Sequence, residues 1–552
     1  MNQLVPPLLL DRSLPIADVA AALGGRGMAL FGLPVGGYGV LTAASTARAM
    51  RLGLGASPAE PWLWRAPLYV AQGTALAAVA EQFAALPAEL AGAPIVCDAA
   101  GLALGTIDPA LLAQHIAPTV PAAAPVAIID AEALAAALGE LRWKVLLALA
   151  ASAERGGLWL IGGVPRDLLL GRPIGDLDVV VEGDGIALAR LAAAALGGRA
   201  ALHPAFGTAT IVLPDGVLPD GGRQGGALSF DIVSARGERY DGAAQLPQIV
   251  RGTLRDDLWR RDFAINTLAL SLGESDFGAI YDPCGGYADL WRGAVRALHP
   301  FSFVEDPTRV IRAARFAARL GFALDAPTAG WMRQAIDAGA LALLTPARII
   351  NELRLLAREP APERALALLD AWGALAAFGD GLRWDDALSA RAAAARALPI
   401  DADAADLLLA LAVFGLSEAQ RGRLLERYKP SKGQRRTIIE AGELATIAPD
   451  LAGARPSAIE RRLRGFESAA LWAARLSAAD ATPFARYLDE LRHLRPAIGG
   501  DDALALGIAA GSAIGRLLDE LRAALIDGEV GVSAAEQRRW LAQRAPAGER
   551  RG

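Results

Sequence analysis

Asp176 and Asp178 stand one residue apart at the start of a stretch, Asp176-Leu-Asp-Val-Val-Val, that reads as a strand. On a strand, i, i+2 spacing puts both carboxylates on one face of the sheet. Two hard oxygen donors on one face are what paired divalent ions need for in-line phosphoryl or nucleotidyl transfer. Upstream, the apolar run Leu158–Ile161 leads into Gly162-Gly163, and a short helix begins near Pro165. Glycines let the backbone approach a phosphate closely, and the free N–H groups of a helix start point at it. Arg166 adds a charged fork in the first turn. A lone Gly-Gly is usually only a turn, and a lone Asp-x-Asp is usually a solvated strand end. Strand, Gly-Gly, Arg-Asp and Asp-x-Asp within about 20 residues form a far more specific constellation. Asp231, in Ser229-Phe-Asp-Ile-Val, is either a third carboxylate of the set or a strand-end aspartate bonded to Arg236.

Two arginine-rich segments add to this. Asp257-Leu-Trp-Arg-Arg-Asp-Phe-Ala-Ile-Asn sets Arg260, Arg261 and Asp262 beside an apolar run. Glu305-Asp-Pro-Thr-Arg opens a helix with acids at its start and Pro307 near its first turn. Arg309, Arg312 and Arg315 follow at i, i+3, i+6, with Arg319 four residues on, so they form one basic stripe. Such a stripe is commonly a solvated, salt-bridged face. Here Val310, Ile311 and Phe316 are read on the other side, which leaves the arginines facing a cleft.

These groups need rigid elements behind them. The chain has 552 residues, 55 Lys+Arg against 60 Asp+Glu, a net charge of −5, four His and two Cys. That length implies about three to five domains. Mean hydropathy is +0.31, but much of the apolar content is Ala, and no span reads as a transmembrane helix. The start of the chain lacks the pattern of a secretory signal. Cys97 and Cys284 are too far apart in sequence to suggest a disulfide framework or a zinc pair, so a cytoplasmic, reducing setting is expected. With net negative charge, any contact to nucleic acid must come from local basic faces. Residues 1–116 read as two similar α/β units, an internal duplication. Residues 117–145 read as a Pro/Ala-rich linker and the start of a helix spanning 131–155. Residues 146–275 are mixed α/β, with strands expected at Leu158–Ile161, Leu177–Val181, Thr208–Leu213 and Leu228–Val233. Residues 276–358 carry the arginine helix, and 359–552 read as helical throughout.

Over about residues 140–360 the sequence resembles the class II tRNA nucleotidyltransferase/poly(A) polymerase family, the CCA-adding enzymes. The resemblance lies in five motifs in order. They are Gly162-Gly-Val-Pro-Arg-Asp with Asp176/Asp178, then Arg260-Arg-Asp, Asp282-Pro-Cys-Gly-Gly-Tyr-Ala-Asp-Leu, Glu305-Asp-Pro-Thr-Arg, and Arg348-Ile-Ile-Asn-Glu. Pro165 stands where the family usually has Val, and Ala264 and Thr267 exchange the usual Thr and Ala. No charged group is lost. The resemblance implies an α+β nucleotidyltransferase head of the polymerase-beta-like kind, followed by an all-α neck, body and tail. It implies template-free addition of C and A from CTP and ATP to the 3′ end of tRNA, with release of pyrophosphate. Asp176 and Asp178, with Asp231 as candidate third carboxylate, would hold two Mg²⁺ ions. Gly162, Gly163 and Arg166 would grip phosphates, and Arg261 and Asp262 would orient the nucleotide. Asp306 and Arg309 would read the base edge shared by cytosine and adenine, with Arg312 and Arg315 contacting nucleotide or phosphate. The Gly-rich run Pro214–Gly226 would be the family's mobile loop, although a plain hairpin loop fits equally. In the helical region, Arg421, Arg423, Arg427, Lys429, Lys432, Arg435 and Arg436 are the candidate RNA-phosphate cluster, a solvated loop being the other reading.

The N-terminal duplication resembles a CBS-domain pair, a module often bound to adenine nucleotides. Gly39-Val-Leu-Thr42 matches its ligand signature in part, but Ser45 stands where an Asp would hold the ribose. A structural or homodimer-forming role is the other reading. A poly(A) polymerase shares the five motifs, but usually with a strongly basic C-terminal extension that the mild Glu549-Arg-Arg-Gly end does not resemble. A nucleotide sensor with a dead transferase domain is opposed by the intact Asp176, Asp178 and Arg309.

Overall fold

A computed structural model describes residues 4–544 apart from 66, 85, 87–91, 114–124, 153–156, 176, 205–206, 214–227 and 509. The chain forms two compact units, Met1–Leu344 and Thr345–Gly552.

The first unit opens with two repeats of the order β-α-β-β-α. The first runs β2 (Leu9–Leu10), helix Ile16–Leu23, β3 (Met28–Gly32), β4 (Tyr38–Thr42) and helix Ala43–Arg51, after the short β1 (Leu4–Val5). The second runs β5 (Tyr69–Ala71), helix Leu76–Ala84, β6 (Ile95–Cys97), β7 (Ala103–Ile107) and helix Pro109–Ala113. Each repeat pairs its first two strands in parallel and its last two as a hairpin. β1 crosses to pair with β7 of the second repeat. The interior is aliphatic, with Leu30, Val40 and Ile95 fully buried in one cluster.

The rest of this unit is built on a mixed eight-stranded sheet in the order β11-β12-β13-β10-β9-β16-β17-β8. Its strands are β8 (Ala127–Ile128), β9 (Leu158–Ile161), β10 (Asp178–Val181), β11 (Arg199–His203), β12 (Thr208–Leu213), β13 (Leu228–Ser234), β16 (Ala269–Ser271) and β17 (Ala279–Tyr281). A separate ribbon pairs β14 (Arg236–Arg239) with β15 (Gln248–Arg251). β10 and β13 run parallel, and the other neighbours in the large sheet run antiparallel. Helix Gly185–Ala195 packs on β12 and β13, burying Ala209 and Ile211, while Thr210 between them faces the other way. The second face carries Thr210, Asp231 and Asp178 at one end, while Ile161, Val180 and Ala269 on the same face are buried against Leu258 of helix Leu254–Trp259.

Three expectations need correction. The Pro/Ala-rich stretch read as a linker lies mostly outside the described residues, but its end, β8, is an edge strand of the large sheet. The helix expected over 131–155 is two helices, Ala131–Leu138 and Glu140–Ser152, because Gly139 between them has φ +77°, ψ 162° and cannot continue the first. The break into the helical unit falls after Leu344 rather than at 358. Pro346 opens a new helix, Pro346–Ala357, which packs on helices Ala404–Val413 and Glu418–Tyr428 of the second unit. That unit is helical as expected, with Trp384 and Trp472 buried in its core and the Trp472 indole N–H donating to Asp401 at 2.8 Å. Among the described residues no helix is long and apolar enough to cross a membrane.

Asp282 accepts from the backbone N–H groups of Gly286 and Tyr287, both at 2.8 Å, and so fixes the start of helix Gly286–Arg292. Gly286 there leaves no room for a side chain, because a Cβ would overlap the Ala264 carbonyl just after the Arg260-Arg261-Asp262 segment. We therefore expect Gly286→Ala to cost about 1–3 kcal/mol in urea unfolding. Gly330→Ala is the control: that helical position is open, so the same change there is expected to be neutral or slightly stabilising.

Candidate active site

β9 delivers the chain to Gly162, which has φ +72° and precedes helix Gly163–Leu169, so the helix starts two residues earlier than the sequence suggests. A Cβ built on Gly162 would lie 3.0 Å from Arg261 Nη1 and 3.1 Å from Asp178 Oδ2. Backbone turn, carboxylate and guanidinium therefore converge at one point, and both the dihedral and the crowding call for glycine there. Asp178 opens β10, in register with Ile161 on one side and Asp231 on the other. Asp231 is exposed, and its Oδ1 accepts from the Thr210 hydroxyl at 2.6 Å. Arg236, its alternative partner in the sequence reading, lies in the charge field of Arg260, Glu238 and Asp257. Asp176 and the run 214–226 lie outside the described residues.

Among the described residues no group of three acidic, imidazole or thiol ligands gathers. Asp178 and Asp231 nevertheless stand at the same level on adjacent parallel strands, a pair of hard oxygen donors beside a close-approach turn. That donor set fits a divalent metal ion carrying a phosphate.

Behind this face lies a layer of buried ion pairs. Asp257, fully buried, accepts from Arg260 Nε at 2.9 Å and Nη2 at 2.7 Å, and from Arg261 Nη2 at 3.2 Å. Glu238 takes Arg260 Nη1 at 2.9 Å. Asp262 accepts from the Asn266 amide at 2.9 Å, from Phe263 N–H at 2.8 Å, and from Arg312 Nε and Nη2 at 2.8 and 2.7 Å. Arg166, 3% exposed, spends its guanidinium on Asn266 at 2.6 Å and on both oxygens of Asp167 at 2.9 and 2.8 Å.

The basic stripe, read as facing a cleft, is tied into the protein at Arg309 and Arg312. Arg309 is 5% exposed, donating Nη1 to Ser302 Oγ at 2.6 Å and Nη2 to the Arg260 carbonyl at 2.8 Å. Phe316 lies on the arginines' own side, with Arg166, Arg312 and Arg319 at 5.3, 5.7 and 5.5 Å from its ring centre. Helix Thr308–Leu320 turns Val310, Ile311, Ala314 and Ala317 into the core, and Arg315 is half-buried. Asp306 holds the helix start, its Oδ1 accepting from Thr308 N–H at 3.0 Å and Oγ1 at 2.5 Å.

Asp257, Glu238, Asn266 and Ser302 were not singled out from sequence. Asp257 and Asn266 had a signal: they lie i−3 and i+4 from the motif residues they hold. Glu238 and Ser302 had none. In the first N-terminal repeat, Thr42 and Ser45 are buried and cap each other's backbone at 2.8 and 2.9 Å. The Thr42 hydroxyl of the partial ligand signature, and that of Ser45 where the signature has Asp, are thus engaged within the protein.

Burial pushes the Asp262 carboxyl up, but the charge of Arg312, the Asn266 amide and Arg309 outweigh it and hold the group at about 2. A depressed folded-state value means stability that is fully present above the ordinary carboxylate value and is lost as pH falls through the folded one. We expect wild-type unfolding free energy to drop by about 2 kcal/mol as pH is lowered from 5 towards 2 on this account. Asp262→Asn should give a shallower slope over that interval in urea titrations. Equal slopes would show that this carboxylate is not held ionised.

Comparison with known proteins converges on one family. Residues 158–296 match the poly A polymerase head domain. The CC-adding tRNA nucleotidyltransferase of Deinococcus radiodurans is 37% identical over 389 residues, 70% of this chain and 88% of that protein. The A-adding tRNA nucleotidyltransferase of Geobacter sulfurreducens is 44% identical over 218 residues, 40% of this chain and 24% of its own length. The chain spans 24–50% of the length of the A-adding relatives it matches. The structure of the Thermotoga maritima CCA-adding enzyme complexed with tRNA covers 76% of this chain at 26% identity, with a TM-score of 0.62. A relative matched over most of its length, joined to a fold shared with a tRNA-bound enzyme, agrees with the five motifs in their order: the chain belongs to the tRNA nucleotidyltransferase family.

Proposed function

We propose that this protein adds C and A residues, from CTP and ATP, to the 3′ end of tRNA in the cytoplasm, releasing pyrophosphate. The observation that carries the reading is the convergence of Gly162, Asp178 and Arg261 on one point, with Asp231 in register beside it. Asp178 and Asp231, with Asp176 at i−2, would hold divalent ions, Mg²⁺ by the hardness of the donors. Such ions, when bound, lower the pKa of the attacking 3′ hydroxyl and neutralise the triphosphate. Gly162 and Gly163 admit the phosphates close to the backbone. Arg261, tethered to Asp257 through Nη2, offers positive charge to the triphosphate without having to be ordered at the moment of binding.

Base selection falls to Asp306 and Arg309. A carboxylate accepts from the exocyclic amine that cytosine and adenine share, and an arginine donates to the neighbouring ring acceptor. UTP and GTP present the opposite pattern and leave both groups unsatisfied. Arg309 is held by Ser302 and the Arg260 carbonyl, which fixes its plane and leaves the remaining donors of the fork for a base. Arg166 and Arg312 support the turn and the selecting helix through Asn266 and Asp262, and Arg312 and Arg315 would contact nucleotide or phosphate. In the helical unit, Lys429, Lys432 and Arg435 are exposed around a break between two helices and would take tRNA phosphates. Their neighbours Arg423, Arg427 and Arg436 are tied to Asp380, the Ala377 carbonyl and Glu440. The N-terminal repeats are read as a CBS-type pair with a structural role, their Thr42 and Ser45 hydroxyls being engaged.

The test is incorporation by the purified full chain with Mg²⁺ and tRNA lacking its 3′ end. CTP and ATP should be used, and GTP and UTP discriminated against by at least about a hundredfold. Incorporation of C alone or A alone would mark a split activity, and long A tails on any RNA would mark a polymerase. Asp178→Ala should lower the rate by roughly a thousandfold or more. Retained activity would show the metal site to be misplaced.

A further inference from the structure

Glu305 is fully buried one residue before Asp306, at the end of the short helix Ser302–Glu305. Its charge partner comes from the N-terminal repeats. Arg48, on helix Ala43–Arg51, donates Nη2 to Glu305 Oε2 at 2.7 Å and Nε to Oε1. The other nearby base is His299, whose Nε2 is 3.7 Å from the same carboxylate. Burial, and the charges of Arg48 and Arg309, hold His299 well below its ordinary pKa, so it stays neutral and Arg48 supplies the cation.

Two further contacts reinforce the grip. Trp62 stacks on Phe301 with ring centres 5.7 Å apart and planes within 5°, and Arg48 lies 5.8 Å above the same ring. Trp64 meets Trp259 edge-on at 6.5 Å, immediately before Arg260. These contacts back the two groups that fix Arg309. One is Ser302, on the short helix that Arg48 holds; the other is the Arg260 carbonyl, next to Trp259.

We propose that the first N-terminal repeat is part of the nucleotide-selecting apparatus, with Arg48 a positioning residue that fixes Glu305 and through it the Asp306–Arg309 pair. The inference rests on the reading of Asp306 and Arg309 as the base-selecting groups. Its physical basis is that the Arg48 fork fixes both oxygens of Glu305; without it a proton on Glu305 or on His299 can restore charge balance but not the two-point hold on the adjoining backbone.

The experiment compares full-length wild type, Arg48→Met and Arg48→Lys. Amide hydrogen exchange over residues 299–309 reads the strut directly. It should speed up in R48M, less so in R48K, which keeps the charge but loses the fork. In transfer assays, R48M should raise KM for CTP and ATP by about ten- to a hundredfold and admit UTP or GTP more often. R48K should recover part of both. A merely structural role would lower stability without moving selectivity. Unchanged exchange in that segment overturns the proposal, as does faster exchange with wild-type KM and selectivity. A wild-type chain inert with all four nucleotides overturns the transferase reading instead. The exchange comparison and equilibrium binding of labelled ATP to the three proteins then decide whether Arg48 positions the segment.

Discussion

Asp262 is the charge on which the site depends. It is buried among groups that each use it: Arg312 through two N–H bonds, the Asn266 amide and the backbone of Phe263. Removed from water, a carboxylate is tolerable only with its lone pairs satisfied and a cation close by. That requirement ties the Arg260-Arg261-Asp262 segment to helix Thr308–Leu320. Asn266 extends the tie to Arg166, and so to the turn after β9. Turn, motif loop and helix Thr308–Leu320 thus share one network, and none can shift far without stranding a buried charge.

The network divides the arginines of this region by what surrounds them. Arg166, Arg260, Arg309 and Arg312 are all consumed at least in part by internal acceptors, and three arginines border the ring of Phe316. Arg261 is likewise tied to Asp257, but its other nitrogen reaches the crowded point where Gly162 meets Asp178. On the proposed reading several triphosphate charges have to be met, and positive groups already in place avoid the rotamer entropy of ordering them on binding. Spending one end of each guanidinium inside the fold is the structural means of doing so.

The N-terminal repeats contribute to the same end from a distance in sequence. Arg48 of the first repeat meets Glu305, and Trp62 and Trp64 just after that repeat meet Phe301 and Trp259. The segment around Asp306 therefore has buried partners in the first repeat, through Arg48 and Glu305, as well as in the Arg260–Phe263 segment, through Arg309 and Phe303.

The constellation and most of the elements were legible in the order of the residues. Three of the four expected head strands begin at the expected residues, and the internal duplication was legible, although strand Leu9–Leu10 and helix Ile16–Leu23 of the first repeat were not. The five motifs, local and in order, identified the family. What the sequence misassigned concerns side-chain direction and long-range charge pairing. A helical period of three to four says that Arg309, Arg312 and Arg315 share a face, but not whether that face meets water, a ring or a carboxylate, and Phe316 was placed on the wrong side for that reason. The register that sets Asp178 beside Asp231, and the pairing of Arg48 with Glu305, join residues far apart in the chain. Such pairs depend on which strands become neighbours and which charges lose their water together, and only the tertiary structure decides that.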